Sequence, residues 1–500
     1  MSRARHRVVV IGGGFGGLSA AALLAHAGAS VTLIEAADSL GGKAGTAESD
    51  GGTFDTGPSL FTIPEAARSL FRRCGEHFDD HVELRRLSPA FHYQWADGTT
   101  VAVDHDLEQT LEAVRGALGR RAATELEGFL AYSRKIWEAS APAFVLGDAP
   151  SFGGMFRLNL KTLASFRHID ASSTMEAAIR KRVSNPYLRD LLRRFATYNG
   201  SDVRVAPATL NCIAWVELGL GSWGVQGGIG ALARAMVGLC ERNGVDFRLG
   251  QPVTEIATRG ACVTGVIVDG QFVEADAVVC NADVRHLTTT LLPKRAPARP
   301  YAPSMSGWNA VMRVPRQGPR LRSPHTVLFP SDYLDEFAAI FDRHEITPEP
   351  TIYACNQSMA HGRAGWTDAD ALFLMVNAPS ASRCQGNVDF ERLREQVLER
   401  AVDVGLLTHD SACVWTREPS GLAARFPGSD GSLYGAASNS VFSAFKRPAN
   451  RSELAQGLYL AGGSAHPGGG VPLCILSGFA ASRALLSDAR FGDPQTLRAG

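Results

Sequence analysis

The sequence predicts an α/β protein: a parallel sheet flanked by helices, assembled from stretches of chain far apart in sequence, with an α+β unit inserted between them. Three observations predict this. A β-branched run, Arg7 to Ile11, leads through a glycine-rich turn into an Ala- and Leu-rich stretch, then a second apolar run at Ser30 to Glu35. A glycine pair, Gly227-Gly228, opens a helical stretch over 229–243, followed by apolar runs that end at Cys280. Gly457 to Ala461 then leads into another glycine-rich loop and a helical stretch from about 471 to 487.

Each element has a local reason. Arg7 to Ile11 suits a strand buried on both faces, because its apolar run does not alternate. Leu18 to Ala27 is built from strong helix formers, and Gly28 stands where a C-terminal cap belongs. With Ser30 to Glu35 this makes one βαβ start. Further helices are expected over 106–140 and 172–195. A hairpin is expected over 85–104, turning at Asp97-Gly98. A strand is expected from Asp246 to Ile256, then a meander turning at Asp269-Gly270, then a strand from Ala275 to Cys280. Residues 284–450 read as mixed α+β with weaker periodicity. The expected organisation is one domain from 1–85, 226–285 and 451–500, and a second from 86–225 and 286–450.

Composition sets the limits. A chain of 500 residues can bury two sizeable cores, and 45% hydrophobic with 20% charged residues is a folded globular profile. Lys plus Arg and Asp plus Glu are both 50, which argues against nucleic acid as the main partner. The 9 cysteines are irregularly spaced with no Cys-x-x-Cys pair, so neither a metal site nor a disulfide framework is expected. Reduced thiols fit a cytoplasmic protein. Arg3, Arg5 and Arg7 before the apolar run imitate a secretion signal, but the glycines interrupt its apolar core. No stretch reaches the roughly 20 apolar residues of a membrane span. A soluble or peripheral protein is expected.

The first glycine loop reads Gly12-x-Gly14-x-x-Gly17, with Phe15 inside it. Gly12 permits the tight turn, Gly14 lets backbone approach a pyrophosphate, and Gly17 lets the helix pack close to the strand. The helix N-terminus offers free N–H groups and a positive dipole end. Glu35 closes the second strand, where an acid accepts hydrogen bonds from ribose hydroxyls. With strand, helix and acid in place, the set reads as a Rossmann-type dinucleotide site rather than a bare turn.

Leu40-Gly41-Gly42-Lys43 resembles the extended signature of a large FAD-dependent group that includes amine oxidases and carotenoid desaturases. Phe54-Asp55-Thr56-Gly57-Pro58 stands where that group places backbone against the flavin. Leu458 to Gly463 is a strand running into glycines, and Ser464 occupies a position where many flavoproteins carry an acid for the ribityl chain. N–H groups over 470–473 could stabilise negative charge on a reduced flavin. The stretches 194–200 and 206–210, the turn Gln226-Gly227-Gly228 and the run His466-Pro467-Gly468-Gly469-Gly470-Val471-Pro472 resemble the bacterial phytoene desaturase-type carotenoid desaturases. The 194–210 stretch and Pro472-Leu473 resemble the 1-hydroxycarotenoid 3,4-desaturases more than the phytoene desaturases proper.

The resemblance implies FAD, a lipid-soluble carotenoid substrate, and quinone or oxygen as electron acceptor. It implies removal of hydride and proton from neighbouring carbons beside a polyene, which needs mainly orientation and an apolar tunnel. The expected cofactor set is Gly12, Gly14, Phe15, Gly17, Glu35, Gly42, Lys43, Gly57, Pro58, Val253, Gly463, Ser464, Gly470 and Val471. His466 could receive the proton or fix the substrate end, or be a structural histidine bonded to backbone. Glu217 could face a hydroxylated end group or act as acid/base, or be a surface or salt-bridged carboxylate. Phe144, Phe152, Met155, Phe156, Phe166, Tyr198, Trp215 and Trp223 are candidates for tunnel lining or plain core. The stretch 151–168 alternates apolar with basic residues, and could meet a membrane surface. Three alternatives stay open: a phytoene desaturase, an amine oxidase acting on a small polar substrate, and a cofactor-free prenyl-binding escort protein.

Overall fold

The structure is a computed structural model, and describes residues 6–145, 147, 169–170, 172–293, 302–316, 321–363, 365–384, 386–440 and 447–488. Five strands form a parallel sheet in the order Leu458–Leu460, Ala277–Cys280, Arg7–Ile11, Ser30–Ile34 and Asp246–Arg248. Arg7–Ile11 is central. Val8 and Val10 pack towards Leu18, Leu24, Met236 and Ile475 on one face. Val9 and Ile11 pack towards Ile256, Val266 and Leu291 on the other. The unbroken apolar run therefore reflects burial on both sides.

Helices Phe15–His26, Ile229–Arg242 and Val471–Leu486 cover the first face. The first and last of these approach closely. A Cβ on Gly478 would lie 2.5 Å from the Gly16 carbonyl oxygen, and Ser19 Oγ donates to Ile475 O at 2.9 Å. The second face is covered by an antiparallel meander, Val253–Arg259, Cys262–Val268 and Gln271–Glu274. Asp269 and Gly270, both at positive φ (50° and 74°), make its two-residue turn.

Three expected elements are divided. The strand expected over Asp246 to Ile256 is two, Asp246–Arg248 in the parallel sheet and Val253–Arg259 in the meander. Gly250 (φ 66°) and Pro252 separate them. The helix expected over 106–140 breaks at Gly119 (φ 93°) into Leu107–Leu118 and Arg120–Ser140. The helix expected over 172–195 breaks into Met175–Arg182 and Pro186–Arg193, because Asn185 Oδ1 caps Leu188 N and Pro186 starts the next helix.

A seven-stranded sheet has the order Ala412–Arg417, Ser306–Pro315, Ala369–Ala378, Ile352–Asn356, His325–Leu328, Phe91–Gln94 and Thr100–Val103. The expected hairpin supplies its last two strands. Phe91–Gln94 pairs in parallel with His325–Leu328, so early and late segments share one sheet. Among the described residues no helix is long and apolar enough to cross a membrane.

Polar contacts join the segments that flank the two sheets. The buried Asp55 carboxylate accepts from Ile229 N at 2.7 Å, at a helix N-terminus, and from Arg363 Nη1 at 2.5 Å. Gln357 exchanges two hydrogen bonds with the Asp55 backbone, at 2.8 and 2.9 Å. His361 Nδ1 accepts from Val225 N at 3.1 Å, which requires a neutral ring. Burial lowers its pKa from the usual 6.5 to about 4. The unfolded chain therefore binds an extra proton between these values, and stability falls as pH drops from about 6.5 towards 4. In urea unfolding at pH 7.5 and pH 5, His361 should contribute a loss of about 2 kcal/mol on acidification. A His361→Gln variant should show a correspondingly smaller loss, and an equal loss in both proteins would refute the assignment.

Candidate active site

A cavity of about 1160 Å³ opens at the carboxyl ends of the parallel strands and extends to the seven-stranded sheet. That crevice is where parallel α/β sheets hold ligands. Gly12, Gly14, Phe15, Glu35, Gly42, Lys43, Gly57, Pro58, Val253, Gly463, Ser464, Gly470 and Val471 all line it, as do Glu217 and His466. Gly17 does not line it. Its place is behind the loop, where a Cβ would lie 2.0 Å from Gly12 O.

Glycine faces glycine across one end. Gly12 (φ 93°) turns the chain out of its strand, and Gly14 caps the following helix. Gly42 (φ 60°) stands opposite, and a Cβ there would lie 3.1 Å from Gly14 Cα. The result is a slot walled by backbone. Glu35 is fixed beside it, accepting from Gly13 N at 2.7 Å and Ala37 N at 2.9 Å. Lys43 Nζ donates to the carbonyls of Ser432 (2.8 Å) and Leu433 (2.9 Å). Its charge thus also ties the slot to the 432–433 loop. Burial lowers its pKa, opposed by the Asp283 carboxylate.

The C-terminal loop forms the next wall. Ser464 Oγ accepts from Val284 N at 3.0 Å, so this hydroxyl anchors the loop. Gly470 (φ 105°) caps helix Val471–Leu486, and nothing lies within 4 Å of a Cβ built on it. Pro472 has no N–H, so the donors expected over 470–473 reduce to those of Gly470, Val471 and Leu473. His466 is buried, with Nε2 3.3 Å from Gly147 O. Its carbonyl accepts from Asn450 Nδ2 at 2.9 Å and Ser477 Oγ at 2.6 Å. It is both a cavity residue and a backbone-tied one.

Glu217 is no surface carboxylate. It is 3% exposed and pairs with Arg194 Nη2 at 3.1 Å, itself 6% exposed. Tyr93 OH and Tyr198 OH also donate to it. Burial pushes its carboxyl above the usual range, against the pull of Arg194. Sequence reasoning did not connect Tyr93, Arg194 and Glu217, because no spacing links a hairpin strand to two separate helices. It also missed a chain from Ser59 Oγ to Tyr353 OH (2.8 Å) to His325 Nδ1 (2.8 Å). Tyr198 lines the cavity; Trp215 and Trp223 do not. Trp223 packs on His105 and Trp215 on Arg134. The side chains of Phe144, Phe152, Met155, Phe156 and Phe166, and the whole 151–168 stretch, lie outside the described residues.

Residues 15–352 match the model of the flavin containing amine oxidoreductase family. The chain is 34% identical to a hydroxyneurosporene desaturase of Cereibacter sphaeroides, covering 96% of this chain and 98% of that protein. The chain belongs to the carotenoid desaturase family of flavin-dependent oxidoreductases. The same family contains a 4,4'-diapolycopene oxygenase of Methylomonas sp, 33% identical over 95% of this chain and 97% of that one. The fold of this desaturase-family chain is shared with an oxidoreductase from Methanosarcina mazei (TM-score 0.63, 15% identity, covering 95% and 100%). It is shared equally with a putrescine oxidase bound to putrescine (TM-score 0.60, 15% identity, covering 97% and 99%).

The loop geometry makes a direct prediction. Gly17→Val should displace the first loop, so that purified protein lacks the yellow flavin absorbance of the wild type. Gly116 lies in an exposed helix with nothing within 4 Å of a Cβ. Gly116→Ala should keep the flavin and raise stability by roughly 0.5–1 kcal/mol in thermal melts. Full flavin retention by Gly17→Val would contradict the packing argument.

Proposed function

We propose that this chain is an FAD-dependent desaturase that introduces the 3,4 double bond into a 1-hydroxy acyclic carotenoid. The observation that carries this is a single continuous cavity with a backbone-walled slot at one end and an apolar wall at the other. The residues fit FAD. Gly12, Gly14 and Gly42 leave room for a pyrophosphate against loop N–H groups and a helix N-terminus. Glu35 keeps lone pairs for ribose hydroxyls beyond its two backbone bonds. The open space beside Gly470 suits a planar ring. FAD bound there supplies a two-electron acceptor for a hydride from the substrate.

The chain's own residues then orient the polyene and keep water out. Leu210, Ile213, Val216, Val327 and Phe373 give the cavity its apolar wall. His466 stands on the Gly462–Gly470 loop itself, which favours its imidazole as the proton acceptor. Glu217 already accepts from Arg194, Tyr93 and Tyr198. We assign the membrane surface as the source of substrate, and quinone or oxygen as the final electron acceptor. The Methylomonas relative favours a second reading, oxygenation of a carotenoid end.

Expression in a pigment-producing host tests this. Cells making 1-hydroxy acyclic carotenoids should accumulate a red-shifted product lighter by two hydrogens. A product heavier by oxygen would select the oxygenase reading, and turnover of phytoene alone the phytoene desaturase one. Purified protein that never holds FAD, even when supplied with it, would point to an escort protein.

A further inference from the structure

An ionic cluster interrupts the apolar cavity wall. Arg194, Tyr198 and Glu217 all line the cavity. Arg194 Nη1 donates to Tyr198 OH at 2.9 Å and Nη2 to Tyr93 OH at 2.8 Å. The guanidinium also lies 5.0 to 5.6 Å from the ring centroids of Phe91, Tyr93, Phe195 and Tyr198. A buried ion pair carries a desolvation penalty, and apolar residues of similar volume would often be no less stable. Such a pair in the wall of an apolar cavity calls for a polar ligand group.

The hydrogen-bond ledger says which kind. Tyr198 donates its only proton to Glu217 and accepts from Arg194. A phenolic oxygen then has only its second lone pair left, which is conjugated into the ring and a weak acceptor. Tyr198 is only partly buried and lines the cavity. Arg194 Nε is buried and has no partner among the described residues, so the cluster offers an unfilled donor beside a weak acceptor, and its complement on an otherwise apolar molecule is a hydroxyl, which both donates and accepts. A hydrocarbon end does neither.

The cluster is also near the C-terminal loop. Asn199, next to Tyr198, accepts from Arg447 Nη2 at 3.4 Å, and Arg447 Nη1 donates to Gly463 O at 2.9 Å. In a 1-hydroxy chain only one carbon separates the hydroxylated carbon from carbon 3. An anchor for that oxygen must therefore lie close to the C-terminal loop, and Arg447 links the residue after Tyr198 to that loop.

We propose that Tyr198, held by Arg194 and Glu217, binds the terminal hydroxyl of an acyclic carotenoid, and so sets which polyene is taken and which bond is presented. This rests on the desaturase reading above. Tyr198→Phe deletes one hydroxyl and keeps the ring that packs on Phe195. Turnover and equilibrium binding, the latter by tryptophan fluorescence quenching, would be measured on the FAD-loaded protein with a 1-hydroxy acyclic carotenoid and its unhydroxylated parent. The wild type should prefer the hydroxylated compound. Tyr198→Phe should lose roughly tenfold or more in kcat/KM for it, chiefly through KM, with the parent unaffected. Glu217→Gln should shift the preference in the same direction.

Equal losses on both compounds, or an unchanged preference, would overturn the proposal. So would a changed pH profile with preference intact, which would make the cluster a proton relay. Binding preference without turnover of either compound would sink the desaturase reading and leave the subsite standing. If neither carotenoid binds, both ideas fail.

Discussion

Gly16 is the point where three remote parts of the chain touch. A Cβ on it would lie 2.6 Å from both Gly462 N and Asn281 Oδ1, while a Cβ on Gly478 would reach its carbonyl at 2.5 Å. The missing side chains let the first glycine loop, the end of strand Ala277–Cys280 and the C-terminal helix share one small volume. Asn281 Nδ2 adds a bond to Gly12 O at 3.3 Å. Hydrophobic burial holds the parallel sheet together, but it is non-directional. The glycine contacts decide how closely the loops approach, and hence the width of the slot between Gly14 and Gly42.

The rest of the cavity follows a different rule. Its apolar wall draws on the seven-stranded sheet and on the helices from 175–218, and the buried charge in that wall is paired. Glu217, buried with Arg194, is reinforced by the neutral donors Tyr93 and Tyr198, and outside the cavity the buried Asp55 pairs with Arg363 and accepts from Ile229 N. Removing one partner of such a pair strands a buried charge, which costs more than the pair contributes. The apolar region and its polar exceptions are thus mutually dependent. A long hydrocarbon can be held dry only if no charge in the wall is left facing it unsatisfied.

The parallel unit was largely legible because its signals are local. Strand, glycine turn, helix and acid follow each other within residues 7–35, and the same grammar recurs at 227–280 and 457–487. What was hidden depends on contacts between distant residues. Ser306–Pro315 is buried along most of its length and carries Ser306, Gly307 and Asn309, so neither alternation nor an apolar run marks it. Helix breaks at Gly119 and Asn185 were masked by apolar periodicity on both sides. Among the site residues, Gly12 to Glu35 announced themselves by spacing, whereas Glu217 gained its partners only through folding. Ser464 stands where many flavoproteins carry an acid, and its hydroxyl ties Val284 N, a contact that no local spacing announces.

The order of strands in the parallel sheet has a consequence for biosynthesis. Arg7–Ile11 is made well before its neighbour on one side, Ala277–Cys280, and before the strand beyond that, Leu458–Leu460. Helix Val471–Leu486, which closes the first face, comes later still. Arg7–Ile11 therefore waits with one edge uncovered while residues 12–276 are made. Such non-local pairing is slow and exposes aggregation-prone surface. The cofactor slot is completed only once residues 462–471 have been made and folded against the first glycine loop.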